Sequence, residues 1–168
     1  MRTVELLPDD ELDRAIRAAW GRLDAAGFSS LAQHRHPTNR PHLTLASAEL
    51  LSPAAAAGIA EALRVLPIAV RLDGLHFFGG RAGVLAWAVD GGDVLRELQA
   101  GIWLALDGAD RNPQLDPGEW APHITLARRV QPDQLEVAAQ AVGVDVAAGR
   151  LSAARSYDSL TRTVTPLQ

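Results

Sequence analysis

Two nearly identical hexapeptides contain the residues of this chain that are best suited to chemistry. The sequence reads PHLTLA from residue 41 and PHITLA from residue 122, so only the Leu–Ile position differs. A histidine exchanges protons near neutral pH, and a threonine hydroxyl can donate a hydrogen bond to an anion. The first candidates for a reactive site are therefore His42, Thr44, His123 and Thr125.

The spacing within each hexapeptide predicts where these side chains point. Side chains alternate between the two faces of a β-strand, so His42 and Thr44 share one face while Leu43 takes the other. The same alternation groups His123 with Thr125. Each strand is expected to present one imidazole and one hydroxyl to a common groove.

Two imidazoles and two hydroxyls around one anion suit phosphodiester chemistry. A neutral imidazole can act as general base while a protonated one acts as general acid, and such help is worth ~10²–10⁴-fold. The hydroxyls can donate to non-bridging oxygens and stabilise the charge of the transition state. This scheme requires neither a metal ion nor a cofactor, and we expect none.

The surroundings of the hexapeptides repeat with the same offset of 81 residues that separates His42 from His123. Apolar residues recur at helical spacing before and after each hexapeptide, and short apolar or β-branched runs flank the helices. Each half therefore reads strand–helix–strand–helix–strand. Helices are predicted at 9–26, 52–64, 92–106 and 132–142, with further strands at 3–7, 67–72, 85–89 and 144–151.

This pattern predicts an α+β fold with a duplicated, bilobal, pseudo-two-fold arrangement. We expect a single domain over residues 1–168, with approximate repeats at 1–80 and 82–160. Two antiparallel-dominated sheets should face each other across a central groove, with the helices outside. Outside that core, hairpins are expected from 75–78 through Gly79-Gly80 to 84–88, and from 152–157 with 161–167.

Composition limits the class of protein. The chain is 48% hydrophobic and 21% charged, typical of a soluble globular protein, and the absence of cysteine excludes disulfides and thiolate nucleophiles. The start MRTVELLPDDEL shows no signal pattern and no apolar run is long enough to span a membrane, so we expect a soluble, unprocessed protein. The absence of cysteine fits a cytoplasmic location, and we expect a monomer. A net charge of −4 argues against a broad nucleic-acid platform but allows a pocket for one phosphate.

The paired HLT and HIT motifs, each followed by Leu-Ala, resemble those of the two-histidine phosphoesterases. The nearest branch is the 2'-5' RNA ligase / RNA 2',3'-cyclic phosphodiesterase family. This resemblance implies the bilobal fold and the opening of 2',3'-cyclic phosphates to 2'-phosphates, on RNA 3' ends or small cyclic-phosphate nucleotides. Some members also join or cleave 2'-5' linkages.

By this resemblance His42 and His123 are the catalytic histidines, and Thr44 and Thr125 bind phosphate. The family suggests that His42 protonates the leaving 3' oxygen and that His123 activates water. Sequence alone cannot orient a substrate, so the two roles could be exchanged.

Arg128 matches an arginine that often ends the second motif and contacts phosphate. It follows His123 by five residues, an odd step, so it reaches the groove only if the strand bends. Arg129 has the better parity and is the alternative.

The segment QHRHPTNRPH contains His34, His36 and His42, which could be read as metal ligands, but no carboxylate or sulfur ligand accompanies these histidines. We expect instead that Arg35, His36, Asn39 or Arg40 line the mouth of the groove.

Aromatic residues raise the question of nucleobase recognition. Family members often carry a basic residue soon after the first motif and an aromatic on the first strand, whereas this chain has Ala46 and Ser47 after the motif and offers Val4 and Leu6 on the strand. Phe77, Phe78 or Trp120 could replace the aromatic, although Phe77 and Phe78 are also candidates for the core or a lid. His76 is expected to be structural, and the expected core tryptophans are Trp20, Trp87 and Trp103.

Two other functions remain open. One is a non-catalytic module that holds a phosphorylated nucleotide or RNA end in the same groove. The other is the same chemistry on a small metabolite such as ADP-ribose cyclic phosphate.

Overall fold

A computed structural model describes residues 1–79, 83–143 and 147–167 of the chain. Within them the order strand–helix–strand–helix–strand occurs twice, as expected from the sequence, and a short final strand follows. The elements are β1 (Arg2–Pro8), α1 (Asp10–Ala25), β2 (Leu43–Ala48), α2 (Pro53–Ala62), β3 (Ile68–Phe78), β4 (Gly83–Asp90), α3 (Gly92–Ala105), β5 (His123–Val130), α4 (Leu135–Val142), β6 (Ala147–Asp158) and β7 (Thr163–Pro166).

Side-chain caps, glycine and 3₁₀ turns determine where the helices begin and end. The Asp9 carboxylate accepts a hydrogen bond from the backbone N–H of Leu12 at 3.0 Å and caps α1, and Gly27 follows its end with a φ of +85°. Residues 63–65 after α2 and 132–134 before α4 form 3₁₀ turns, so these two helices are shorter than predicted. Of the strand expected at 144–151, residues 144–146 lie outside the described residues.

All strand pairs are antiparallel, and the strands form one sheet in the order β1-β2-β5-β4-β3-β6-β7 with an additional β1–β6 pairing. The predicted α+β class with an antiparallel sheet is confirmed. The two sheets expected for the two halves are joined into one, because β2 pairs with β5 and β3 pairs with β6.

The expected hairpin at 75–78 and 84–88 is not a separate piece of the fold. Its first arm is the end of β3 and its second arm is most of β4, paired from Phe78 with Val84 onward. Gly80, expected in its turn, lies outside the described residues. The C-terminal hairpin is present, since Asp158 of β6 pairs with Thr163 of β7.

Aliphatic side chains from both halves fill one continuous core. The apolar faces of α1 and α3 contribute Leu12, Ile16, Leu95 and Ile102, all at most 1% exposed. Helix α1 contacts β5 and β6, and helix α3 contacts β2 and β3, so each half is covered partly by a helix from the other. None of the described helices is long and apolar enough to span a membrane.

Candidate active site

The two hexapeptides meet at one residue pair in the middle of the sheet. Leu43 of β2 pairs with Ile124 of β5, and this is the only pair that these strands form within the described residues. Both side chains are completely buried. Strand alternation therefore turns the residues on either side of this pair towards the opposite face.

The four motif residues occupy that opposite face. Continuing the register by one residue places Thr44 across from His123 and His42 across from Thr125. Each imidazole is thus opposite the hydroxyl-bearing residue of the other half. All four residues are only partly buried, whereas Leu43 and Ile124 between them are inaccessible.

Each imidazole is held in the same way. Nδ1 of His42 lies 2.7 Å from the carbonyl oxygen of Arg40, and Nδ1 of His123 lies 2.8 Å from the carbonyl oxygen of Ala121. A carbonyl can only accept, so Nδ1 carries the hydrogen in both rings. Nε2 is therefore the atom that is left to exchange a proton in both histidines.

A buried ion pair lies beside His42. Glu5 of β1 is 3% exposed, and its Oε2 accepts a hydrogen bond from Nε of Arg155 on β6 at 2.7 Å. The other oxygen, Oε1, accepts from the hydroxyl of Thr3 at 2.7 Å and lies 3.8 Å from Nε2 of His42. The guanidinium of Arg155 also donates to the carbonyl oxygen of Thr38 at 2.8 Å.

His123 has a different, aromatic neighbourhood. The ring of Phe78 lies 4.4 Å from the His123 ring, and the ring of the exposed His76 lies 4.2 Å from that of Phe78. Burial lowers the pKa of His123 below its ordinary value of 6.5, and the charges of His76 and His42 lower it further, while the hydrogen bond to Ala121 acts in the opposite direction. The neutral form of His123 is therefore favoured.

The groove consists of two adjoining cavities. One, of about 500 Å³, contains His42 and Thr44, and the other, of about 820 Å³, contains His123 and Thr125. Arg128 lines both. The two motif pairs therefore open towards neighbouring parts of one groove, and Arg128 borders both parts.

Arg128 reaches the groove because β5 bulges. Leu85 pairs with Ala127 and the next residue of β4, Ala86, pairs with Thr125, so Leu126 is an extra residue that reverses the alternation beyond it. An equivalent bulge occurs at Leu45 of β2, 81 residues earlier.

Arg129, the alternative to Arg128, is not part of the groove. A second irregularity in the pairing leaves it as an extra residue with a left-handed φ of 59°, and it is not among the residues that line the described cavities.

The segment before the first motif lines the cavity around His42 in part. His34, His36 and Asn39 face this cavity, and Arg35 lines a smaller one of about 310 Å³ beside Arg128. Arg40, expected at the mouth, instead has its guanidinium 3.7 Å from Asp13 of α1. In the part of the chain that the structure describes, no three His, Cys, Asp or Glu side chains are grouped as metal ligands.

Two tryptophans fix the motifs from opposite halves. The indole of Trp20 donates to the carbonyl oxygen of Thr125 at 3.0 Å, and the indole of Trp120 donates to that of Thr44 at 3.0 Å. Trp20 and Trp87 are in the core as predicted, but Trp103 is only half-buried, with the guanidinium of Arg111 4.2 Å above its ring. Trp120 lines the cavity around His123 and is 7% exposed.

Sequence reasoning did not identify Glu5, Thr3, Arg155 and Tyr157, which line the cavity around His42. A signal for two of them exists in the first strand, where Thr3 and Glu5 alternate with Val4 and Leu6 and so form a polar face. Their partners come from β6, about 150 residues away, and no local pattern connects them.

Comparison with known proteins gives a family for the chain and a similar fold. The family model of the 2'-5' RNA ligase superfamily matches residues 8–161. Two solved structures of Kluyveromyces marxianus Usb1, one of them with uridine monophosphate, share this fold at a TM-score of 0.52, with 13% and 12% identity over 99% of this chain and 96% of theirs. No curated protein matches the sequence. The chain belongs to the 2'-5' RNA ligase superfamily.

Proposed function

We propose that the protein is a metal-independent phosphodiesterase that opens 2',3'-cyclic phosphates to 2'-phosphates. The observation that carries this proposal is the pair of histidine–threonine motifs on one face of the sheet, with Nε2 of each imidazole as its reactive atom and Arg128 lining both halves of the groove. Superfamily membership supports a phosphoester substrate, and the Usb1 structure with uridine monophosphate supports a nucleotide.

His123 is proposed as the general base. Its Nδ1 donates to the Ala121 carbonyl, so the neutral ring has its lone pair on Nε2. Because burial lowers its pKa, this neutral form predominates near pH 7. Nε2 then takes a proton from a water molecule as the water oxygen attacks phosphorus.

His42 is proposed as the general acid. As the bond between phosphorus and the 3' oxygen breaks, the proton on Nε2 of His42 passes to that oxygen, and the phosphate stays on the 2' oxygen. The threonine hydroxyls of both motifs donate to the non-bridging oxygens, and Arg128 offsets the charge that develops there.

The same scheme extends to 2'-5' joining when an alcohol replaces water. Attacking and leaving oxygens lie roughly in line across the phosphorus, so the nucleophile enters on the His123 side. The cavity of about 820 Å³ there has room for more than water. A 5'-hydroxyl placed in it would give up its proton to His123 and form a 2'-5' linkage.

The test compares His42→Ala and His123→Ala with the unmodified protein on 2',3'-cyclic AMP, with EDTA present. We expect each single variant to lose turnover at least 100-fold while its thermal unfolding is retained, and the unmodified protein to give 2'-AMP with a bell-shaped pH profile. Thr44→Ala should also lose turnover, because a hydroxyl that donates to the phosphate is removed, and Thr163→Ala, in exposed β7, is its control. Full turnover in either histidine variant would refute the mechanism.

A second set of ligands separates the substrate classes. The net charge of −4 favours a small nucleotide or a single RNA end over a long duplex. Turnover of 2',3'-cyclic AMP, an RNA with a cyclic-phosphate end and ADP-ribose cyclic phosphate should be compared. Binding without any product at high enzyme concentration would instead identify a non-catalytic module.

A further inference from the structure

The two halves of the groove can be compared position by position because their strands pair in equivalent registers. Glu5 of β1 pairs with Thr44, and Ala86 of β4 pairs with Thr125, so Glu5 and Ala86 occupy equivalent places. The neighbouring strand supplies Arg155 across from Glu5 and His76 across from Ala86.

This comparison shows that the two catalytic histidines have neighbours of opposite chemistry. Next to His42 is a carboxylate held by a guanidinium, whereas the position equivalent to Glu5 beside His123 is a methyl group. Two residues further along each strand, on the same face, Tyr157 and Thr3 in the first half correspond to Phe78 and Val84 in the second. The motifs are duplicated, but the residues on the neighbouring strands that pack beside them are not.

The Glu5–Arg155 pair is oriented with its negative end towards His42. Arg155 bonds Oε2, while Oε1 faces Nε2 of His42 at 3.8 Å. This separation is too long for a hydrogen bond, so Glu5 does not accept one from Nε2. The same separation is short enough for an attraction between a carboxylate and an imidazolium. The hydrogen bonds from Thr3 and Arg155 keep the carboxylate in this orientation.

We propose that Glu5, held by Arg155, is a positioning residue that faces Nε2 of His42 with a carboxylate oxygen and orients this histidine as the general acid, which distinguishes it from His123. This inference rests on the function proposed above. It assigns a role in the reaction to a buried ion pair that lines the cavity around His42 but forms and breaks no bond in the scheme.

The test uses the leaving group. The 3' oxygen of ribose is a poor leaving group that needs a proton, whereas p-nitrophenolate leaves without one. For Glu5→Gln we expect kcat on 2',3'-cyclic AMP to fall about tenfold, a fraction of the ~10²–10⁴-fold that general acid–base help contributes, with KM little changed. On bis(p-nitrophenyl) phosphate, kcat should change less than about twofold, since no acid is required there.

Two further variants keep the result interpretable. Glu61→Gln, an exposed carboxylate of α2 paired with Arg64, should leave both rates unchanged. Should Glu5→Gln fail to fold because Arg155 is left unpaired, the double change Glu5→Gln with Arg155→Met removes both charges and gives the same comparison.

The outcomes distinguish this inference from the proposed function. An unmodified protein that turns over neither substrate refutes the proposed function. An active protein whose Glu5 variant loses both rates equally, or loses neither, refutes the role of Glu5 and leaves the proposed function standing. A loss confined to the cyclic nucleotide supports the role.

Discussion

Replacing Trp120 with phenylalanine removes the hydrogen bond that its indole donates to the carbonyl oxygen of Thr44 at 3.0 Å. The indole is 7% exposed, so water cannot readily replace it, and an unpaired buried carbonyl costs about 1–3 kcal/mol. At about 2 kcal/mol, and 2–4 °C per kcal/mol for a chain of this size, Tm should fall by about 4–8 °C.

The matched control is Trp87→Phe. Trp87 is 5% exposed, and its indole donates no hydrogen bond within the described residues, so this change alters ring volume alone. Both variants should be compared by calorimetry and urea unfolding. Because the lost bond also holds the backbone of Thr44, Trp120→Phe should raise KM for a cyclic nucleotide several-fold, and Trp87→Phe should not. Equal loss of stability in the two variants would contradict this account of the indole bond.

Three other predictions follow from the same groove. The pKa of His123 in the folded protein lies below 6.5, so the unfolded chain binds the proton more readily. The free energy of unfolding should therefore decrease as the pH falls from about 6.5 to the folded pKa. Urea unfolding at pH 7.5 and 5.5 measures this decrease, which should be smaller for His123→Gln than for the unmodified protein. Arg128→Ala should raise KM about tenfold or more and Arg129→Ala should not, since of these two residues Arg128 alone lines the groove. Steady-state kinetics measure this, and equal effects of the two variants would contradict the role given to the bulge at Leu126. Arg155→Met should lower the free energy of unfolding by about 3–5 kcal/mol because Glu5 is left charged and buried, whereas adding Glu5→Gln should restore much of the loss in urea titrations.

The sequence was sufficient for the element order and for the face on which His42 and Thr44 lie. Both depend on short-range regularities: the 3.6-residue period of helices and the two-residue alternation of strands. The prediction that both histidines and both threonines are catalytic or bind phosphate stays a prediction, although the register brings all four to one face.

What the sequence could not provide depends on contacts between distant strands. The bulge at Leu126 that turns Arg128 into the groove is a property of the pairing with β4, and a strict alternation predicts the opposite orientation. The Glu5–Arg155 pair likewise joins residues 150 positions apart. Trp103 was expected in the core because it follows a helical pattern, but it lies at the border of the buried face, under Arg111.

The crossed tryptophan bonds make the two halves interdependent. Trp20 precedes the first motif in the chain but holds the second motif, and Trp120 belongs to the second half but holds the first. With the offset of 81 that relates the motifs, Gly101 corresponds to Trp20 and Asn39 corresponds to Trp120. The two tryptophan hydrogen bonds are therefore not copies of one another. A chain cut between the halves would therefore lose support for both histidines at once, and each fragment would need the other to rebuild even its own side of the groove.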